Sequence, residues 1–201
     1  METTNPVILG SNAKPELDLY YEIVNGKRVR LEPKPVEAIQ SAALVAVALQ
    51  TELVAKAPGL VLYKPLIRFE EGQSRRPDLA YFTSEMLSRD TYRLQRLMKQ
   101  MAKRDHIETS FIPQIAVEMI SPNITVGFMQ ERTQCYLKAG VQAVLQVLYE
   151  TRRVFVYESS TSLSIFDEDD VIETSAFAAF SRTVGEWLTV PGPDKMIPLA
   201  K

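Results

Sequence analysis

The stretch "PVEAIQSAALVAVALQTELVAKAPG", residues 35–59, runs about 20 residues rich in Ala, Leu and Val with no internal breaker before Pro58-Gly59. Such a run predicts one long helix, and its small side chains permit close packing against a sheet or a second helix. Around it lie short β-prone segments. "LYYEIVNGKRVRLE", residues 19–32, holds two of them about Asn25-Gly26, the dipeptide best suited to a two-residue hairpin turn. "LVLYKPLIRFE" and "PDLAYF" read as strands joined by a polar loop, "EGQSRR", and a polar, basic helix is expected over roughly residues 84–104. "QIAVEMI", residues 114–120, is a strand closed by Ser121-Pro122-Asn123, with Ser121 and Asn123 offered as caps to a helix that stops at Gly140. "VQAVLQVLYE" and "RRVFVYES" predict two further strands about Thr151-Arg152, and "SLSIFDEDDVIETS" a peripheral hairpin. The order implies an α/β fold, a mixed sheet flanked by helices with an N-terminal β-hairpin. The expected division is an N-terminal segment 1–18, one domain over 19–188 and a tail 189–201.

Composition narrows the chemistry. With 201 residues, 46% hydrophobic and 24% charged, the chain suits one well-buried domain. A net charge of −2 argues against broad electrostatic adhesion to nucleic acid, though not against a local basic site. One cysteine, Cys135, excludes an internal disulfide, and one histidine, His106, excludes zinc sites built from His and Cys clusters. A metal here is therefore expected on oxygen ligands, which points to magnesium, manganese or calcium. The start "METTNPVILG" lacks a basic segment leading into an apolar core, and no long uncharged apolar stretch suggests a membrane; a cytoplasmic location is expected.

The strand 114–120 carries the central question. Glu118 sits among Ile115, Ala116, Val117, Met119 and Ile120, where an unpaired charge costs several kcal/mol (about 3–5). It needs a cation, a hydrogen-bond partner or an edge open to water. Asp78 opens the strand "PDLAYF", 40 residues earlier. On neighbouring strands the two carboxylates can approach, and a divalent cation between them removes the like-charge penalty. Such a pair suits metal-assisted phosphodiester hydrolysis, although two acids on strands also serve as caps or ion-pair partners.

The helix after Glu118 can be placed by angle. Phe128, Met129, Cys135, Tyr136 and Ala139 fall on one stripe, with Arg132 at its centre and Gln130, Gln134 and Lys138 pointing away. An inward Arg needs a carboxylate or phosphate. Two outcomes compete: a structural ion pair with Glu118, or a shared site in which Arg132 reaches a phosphate.

"YEIVNGKRV", "RRPDLAYF", "IAVEMISPN", "ERTQCYLKAGV" and "RRVFVYE", in this order, resemble the Uma family of putative restriction endonucleases, within the PD-(D/E)XK nuclease superfamily. The resemblance spans about residues 20–185. It implies a restriction-endonuclease-like fold, a metal (Mg2+ or Mn2+) held by Asp78 and Glu118, and DNA as substrate. The superfamily lysine two residues after the strand acid is replaced here by Ile120, and a basic residue from the next helix, Arg132, takes the matching role. Arg132 can steady phosphate charge but cannot act as a base. Glu22 matches the family's hairpin Glu and supports the site; a pairing with Arg28 or Arg30 across the hairpin competes. Tyr136, one turn beyond Arg132, either hydrogen-bonds at the site or packs in the core. The basic cluster from Arg89 to Arg104 either tracks a phosphate backbone or is a solvated face. The alternative to a nuclease is an inactive binding or assembly module, and a homodimer, through the Ala-rich helix and Leu137, suits both.

Overall fold

The computed structural model describes residues 20–70, 72–103, 107–177 and 180–190. In chain order the elements are β1 (Tyr21–Val24), β2 (Lys27–Arg30), α1 (Val36–Lys56), β3 (Gly59–Tyr63), β4 (Leu66–Glu70), β5 (Gln73–Arg75) and β6 (Leu79–Thr83). There follow α2 (Ser84–Ser88), α3 (Thr91–Ala102), β7 (Glu108–Thr109), β8 (Ile115–Met119), α4 (Val126–Lys138), β9 (Ala143–Leu148), β10 (Arg153–Tyr157), β11 (Leu163–Phe166) and α5 (Val184–Trp187).

The strands form two sheets rather than the single one expected. A five-stranded sheet runs β2-β1-β5-β4-β7, and a six-stranded mixed sheet runs β11-β10-β9-β8-β6-β3. The second sheet arises because the polar "EGQSRR" segment is not simply a loop. Its Ser74 pairs with Ile23 of β1 and accepts the Ile23 N–H on Oγ at 3.0 Å. Gly72, at φ +77°, supplies the left-handed turn into β5, and its carbonyl accepts the Gly26 N–H at 2.9 Å, locking two turns together. The N-terminal hairpin forms as expected, with Asn25 and Gly26 both at positive φ, as a type I′ turn requires.

Side-chain alternation divides the six-stranded sheet into two faces. Leu79 and Tyr81 of β6, Ile115, Val117 and Met119 of β8, and Ala143, Leu145 and Val147 of β9 all join one apolar cluster with α1 and α5. From α1 that cluster takes Ala38, Ala42, Val45, Ala48, Leu49 and Leu53. The window Val36–Leu53 is apolar and long enough for a membrane span by composition, but these side chains are committed to the sheet. The other face carries Ala80 and Phe82 toward α2 and α3, and Ala116 and Val144 toward Tyr136 of α4.

Four local expectations need correction. The basic helix is broken in two because the Asp90 side chain accepts the Arg93 N–H at 2.9 Å and starts α3 afresh. The cap of α4 is Thr125, not Ser121 or Asn123; its Oγ1 accepts the Phe128 N–H at 3.3 Å. Among the described residues the peripheral hairpin does not form: β11 pairs with β10, and Val171 bridges to Thr183 instead. Part of the surface offered for a homodimer is already used within the chain. Ala38, Ala42 and Ala48 are buried in the chain's own core, and Leu137 is half-buried against the Tyr136 cluster. On the basic helices, Arg89 pairs with Glu85 and Arg93 with Asp90; Arg104 and His106 lie outside the described residues.

Candidate active site

β6 and β8 are antiparallel neighbours with Leu79 opposite Val117 and Ala80 opposite Ala116, so the next step of the ladder sets Asp78 against Glu118. Both therefore lie on the α4 side of the sheet, away from the apolar α1 face. The Asp78 carboxylate is fixed through Oδ2, which accepts the Met119 N–H at 2.8 Å. On the other flank of Glu118, Gln146 of β9 lies in register and donates to Thr133 Oγ1 of α4 at 2.8 Å. That bond and the Glu118 contacts clamp α4 to this face.

Arg132 points inward and is only 4% exposed. Its Nε and Nη2 donate to Glu118 Oε1 at 3.1 and 2.5 Å, and its Nη1 donates to Glu22 Oε2 at 2.6 Å. Nη2 also meets the Arg76 carbonyl at 3.2 Å and Tyr136 Oη at 3.1 Å. Tyr136 Oη in turn donates to Glu118 Oε1 at 2.6 Å. The guanidinium is thus engaged on every nitrogen by protein oxygens, the structural-pair outcome in its fullest form. Glu22 belongs to this cluster: it lies opposite Val29 in the hairpin, and its Oε1 accepts the Arg76 N–H at 2.6 Å.

The geometry also brings in residues for which sequence reasoning assigned no role. Lys34 Nζ donates to Asp78 Oδ2 at 2.8 Å and to the Met119 carbonyl at 2.6 Å. Arg75 is buried, with Nη1 on the Ile23 carbonyl at 3.1 Å and Nη2 on Glu131 Oε1 at 3.0 Å. Arg76 Nη1 donates to the Lys64 carbonyl at 2.5 Å, while the Lys64 N–H donates to the Asp78 carbonyl at 3.0 Å. Lys64 sits at φ +47°, a left-handed conformation that a non-glycine residue holds only where its surroundings fix it. The signal that could have found Lys34 is its setting between Pro33 and Pro35, which restricts the backbone on both sides.

Residues 13–185 match the model of the Uma2 family, described as "Putative restriction endonuclease". The chain belongs to the Uma2 family. No curated protein matches it. Among solved structures it is similar to a crystal structure described as a putative nuclease belonging to DUF820 from Anabaena variabilis, with a TM-score of 0.67 at 17% identity. The match covers 88% of this chain and 95% of the other, so the two share a fold. The superfamily-lysine position of this Uma2 chain, Ile120, is half-buried, with its N–H on the Val147 carbonyl at 2.9 Å.

Electrostatics at the site are set by burial. Desolvation pushes the Glu118 carboxyl above its ordinary value, opposed by Arg132 and reinforced by the Asp78 charge. Burial works against the charge of Arg132, yet Glu118 and Glu22 outweigh it and hold the guanidinium ionised. Tyr136 is kept neutral, chiefly by burial. Burial likewise lowers Lys64, with Asp78 pulling the other way.

A divalent ion is implied by the family, and the donor set fits one. Among the described residues no group of three His, Cys, Asp or Glu side chains is arranged for a metal. Asp78, Glu118 and the Met119 carbonyl are nevertheless all oxygen donors. Magnesium characteristically takes one or two protein carboxylates and leaves its other positions to water and phosphate. The bonds of Glu118 fall on Oε1 and those of Asp78 on Oδ2. Among the described residues, Glu118 Oε2 and Asp78 Oδ1 carry no hydrogen bond and are the natural ligands.

Proposed function

We propose that this Uma2 protein is a metal-dependent endonuclease that hydrolyses DNA phosphodiester bonds, with Mg2+ or Mn2+ held by Asp78 and Glu118. The observation that carries the reading is the pair itself: two acids in register on one sheet face, each anchored through one oxygen, with no hydrogen bond on the other among the described residues. A divalent ion bound there would supply Lewis-acid activation of water and stabilise charge on the phosphorus centre. The protein's own part is positioning. Arg132 and Tyr136 orient Glu118 through Oε1, Met119 orients Asp78, and Glu22 holds the far side of Arg132. Arg132 therefore acts through Glu118 in this proposal, rather than by the direct phosphate contact anticipated from sequence. Arg75, Arg76 and Lys64 add positive charge beside the acids, which favours a polyanionic substrate. On this reading the substrate is DNA in the cytoplasm. A homodimer is part of the proposal, supported by Val36, Ile39 and Val47, which are exposed along one stripe of α1.

The test is nicking of supercoiled plasmid DNA with and without Mg2+ or Mn2+. Cleavage only with metal, lost in Asp78→Asn and Glu118→Gln, is the expected result. No cleavage under conditions where Mn2+ occupancy has been measured would overturn it.

A second reading has its own observation. Because Arg132 already neutralises Glu118 and Glu22, and Lys34 already contacts Asp78, the acids are internally compensated, as in a module that keeps the fold for binding or assembly. If Arg132→Lys creates or increases cleavage, the nuclease reading stands; if neither form cleaves, the binding module is favoured.

A further inference from the structure

Lys34 reaches the site from the segment between β2 and α1, outside the strands and α4. Pro33 and Pro35 flank it, Pro35 forms the start of α1, and the side chain is half-buried. Its ammonium does not lie along the surface. It bridges two oxygens from different strands, Asp78 Oδ2 of the β6 entry and the Met119 carbonyl of β8, at 2.8 and 2.6 Å. Two oxygens converging on one positive charge form a small cation site, and Lys34 fills it. Its charge also reaches Glu118, the other acid of the pair.

We propose that Lys34 is a tethered cation that holds the Asp78 and Met119 oxygens until a divalent ion displaces it, so that ion occupancy is set by competition with this ammonium. The inference rests on the metal-site reading above and adds to it a residue that controls loading. A hard ion entering on the Asp78 Oδ1 and Glu118 Oε2 atoms lies within one carboxylate's width of the ammonium on Oδ2, and two positive centres that close repel. Displacement costs the ion two charge-assisted hydrogen bonds, so the site fills only at raised ion concentration or when phosphate oxygens add ligands to the ion. The proline-flanked backbone anchors the base of the Lys34 side chain beside the site, so the ammonium is a tethered competitor rather than a free counterion.

The experiment is calorimetric titration of Mn2+ alone into the full chain, its Lys34→Met variant, its Asp78→Asn variant and the double variant. The expected result is that Lys34→Met binds one Mn2+ about tenfold tighter or more, and that Asp78→Asn removes the binding in either background. Unchanged or weaker binding in Lys34→Met, with Asp78→Asn still abolishing it, overturns the competition while leaving the metal site standing. Absence of binding in every form removes both. A readout on the unaltered protein guards against a variant that fails to fold: acylation of Lys34 by an amine-reactive reagent, followed by peptide mass spectrometry. Lys34 should be several-fold more reactive with Mn2+ than without it, relative to the exposed Lys27; equal reactivity overturns the proposal.

Discussion

Two acids on helices and strands of this protein are buried among partners, and they behave in opposite ways. Glu52, in the last turns of α1, accepts the Ser181 N–H at 2.5 Å, the Ser181 hydroxyl at 2.8 Å and Arg182 Nε at 2.8 Å. Burial alone would raise its carboxyl, but these donors and the Arg182 charge together bring it below its ordinary value. Glu118 has a buried Arg and a buried Tyr on one oxygen, yet burial and the neighbouring Asp78 leave its carboxyl raised. The difference is completeness. Glu52 uses both oxygens to fasten the C-terminal segment to α1, whereas among the described residues the bonds of Glu118 all fall on Oε1, and it faces a second acid. An acid finished by its surroundings is structural; one left partly unpaired beside another acid is suited to receive a further cation.

This contrast can be broken by substitution. Arg132→Met should have the largest effect on stability, about 3–5 kcal/mol in urea unfolding, because it strands Glu118 and Glu22 without their shared cation. A loss below 1 kcal/mol or so would mean that Lys34 and Arg75 compensate the acids unaided. Glu52→Gln should cost less, roughly 1.5–3 kcal/mol, through weakened bonds to Ser181 and Arg182. Its sign with pH is also fixed. Since the folded Glu52 carboxyl lies below its ordinary 4.5, its contribution is fully present above that value and is lost as pH falls through the folded value. The stability gap between the parent and Glu52→Gln should therefore be constant above about pH 4.5 and shrink on acidification; a gap that grows on acidification would sink the assignment. Thr125→Ala should cost least, about 1 kcal/mol, by removing the cap that starts α4. Thermal melts should show that loss without altering Mn2+ affinity, because the cap touches neither Asp78 nor Glu118.

Much of the local structure was legible in the chain. Asn25-Gly26 specified the first turn, the unbroken apolar run specified α1, and the 100° spacing of α4 put Arg132 on the inward stripe. The strands about residues 115–119, 143–148 and 153–157 followed from apolar runs between turn residues. What escaped was decided by partners distant in sequence. Ser74 reads as loop because its ladder partner, Ile23, lies 51 residues away. Glu22 could have paired across its own hairpin, but Arg132, 110 residues on, provides the buried cation instead. Lys34 carried no motif, and only the crossing of its proline-flanked segment over β6 and β8 makes it part of the site.

The sequence by itself determined which side chains could not be left alone: a carboxylate in the apolar strand 115–119 and a guanidinium on the inward stripe of α4 both demand partners, since the cost of burying charge does not depend on topology. Only the tertiary structure decided who those partners are. Strand order and register set Asp78 beside Glu118 and bring Glu22, Lys34 and Arg132 to that pair, and pairings across 44 to 110 residues rest on long-range packing that no local spacing encodes.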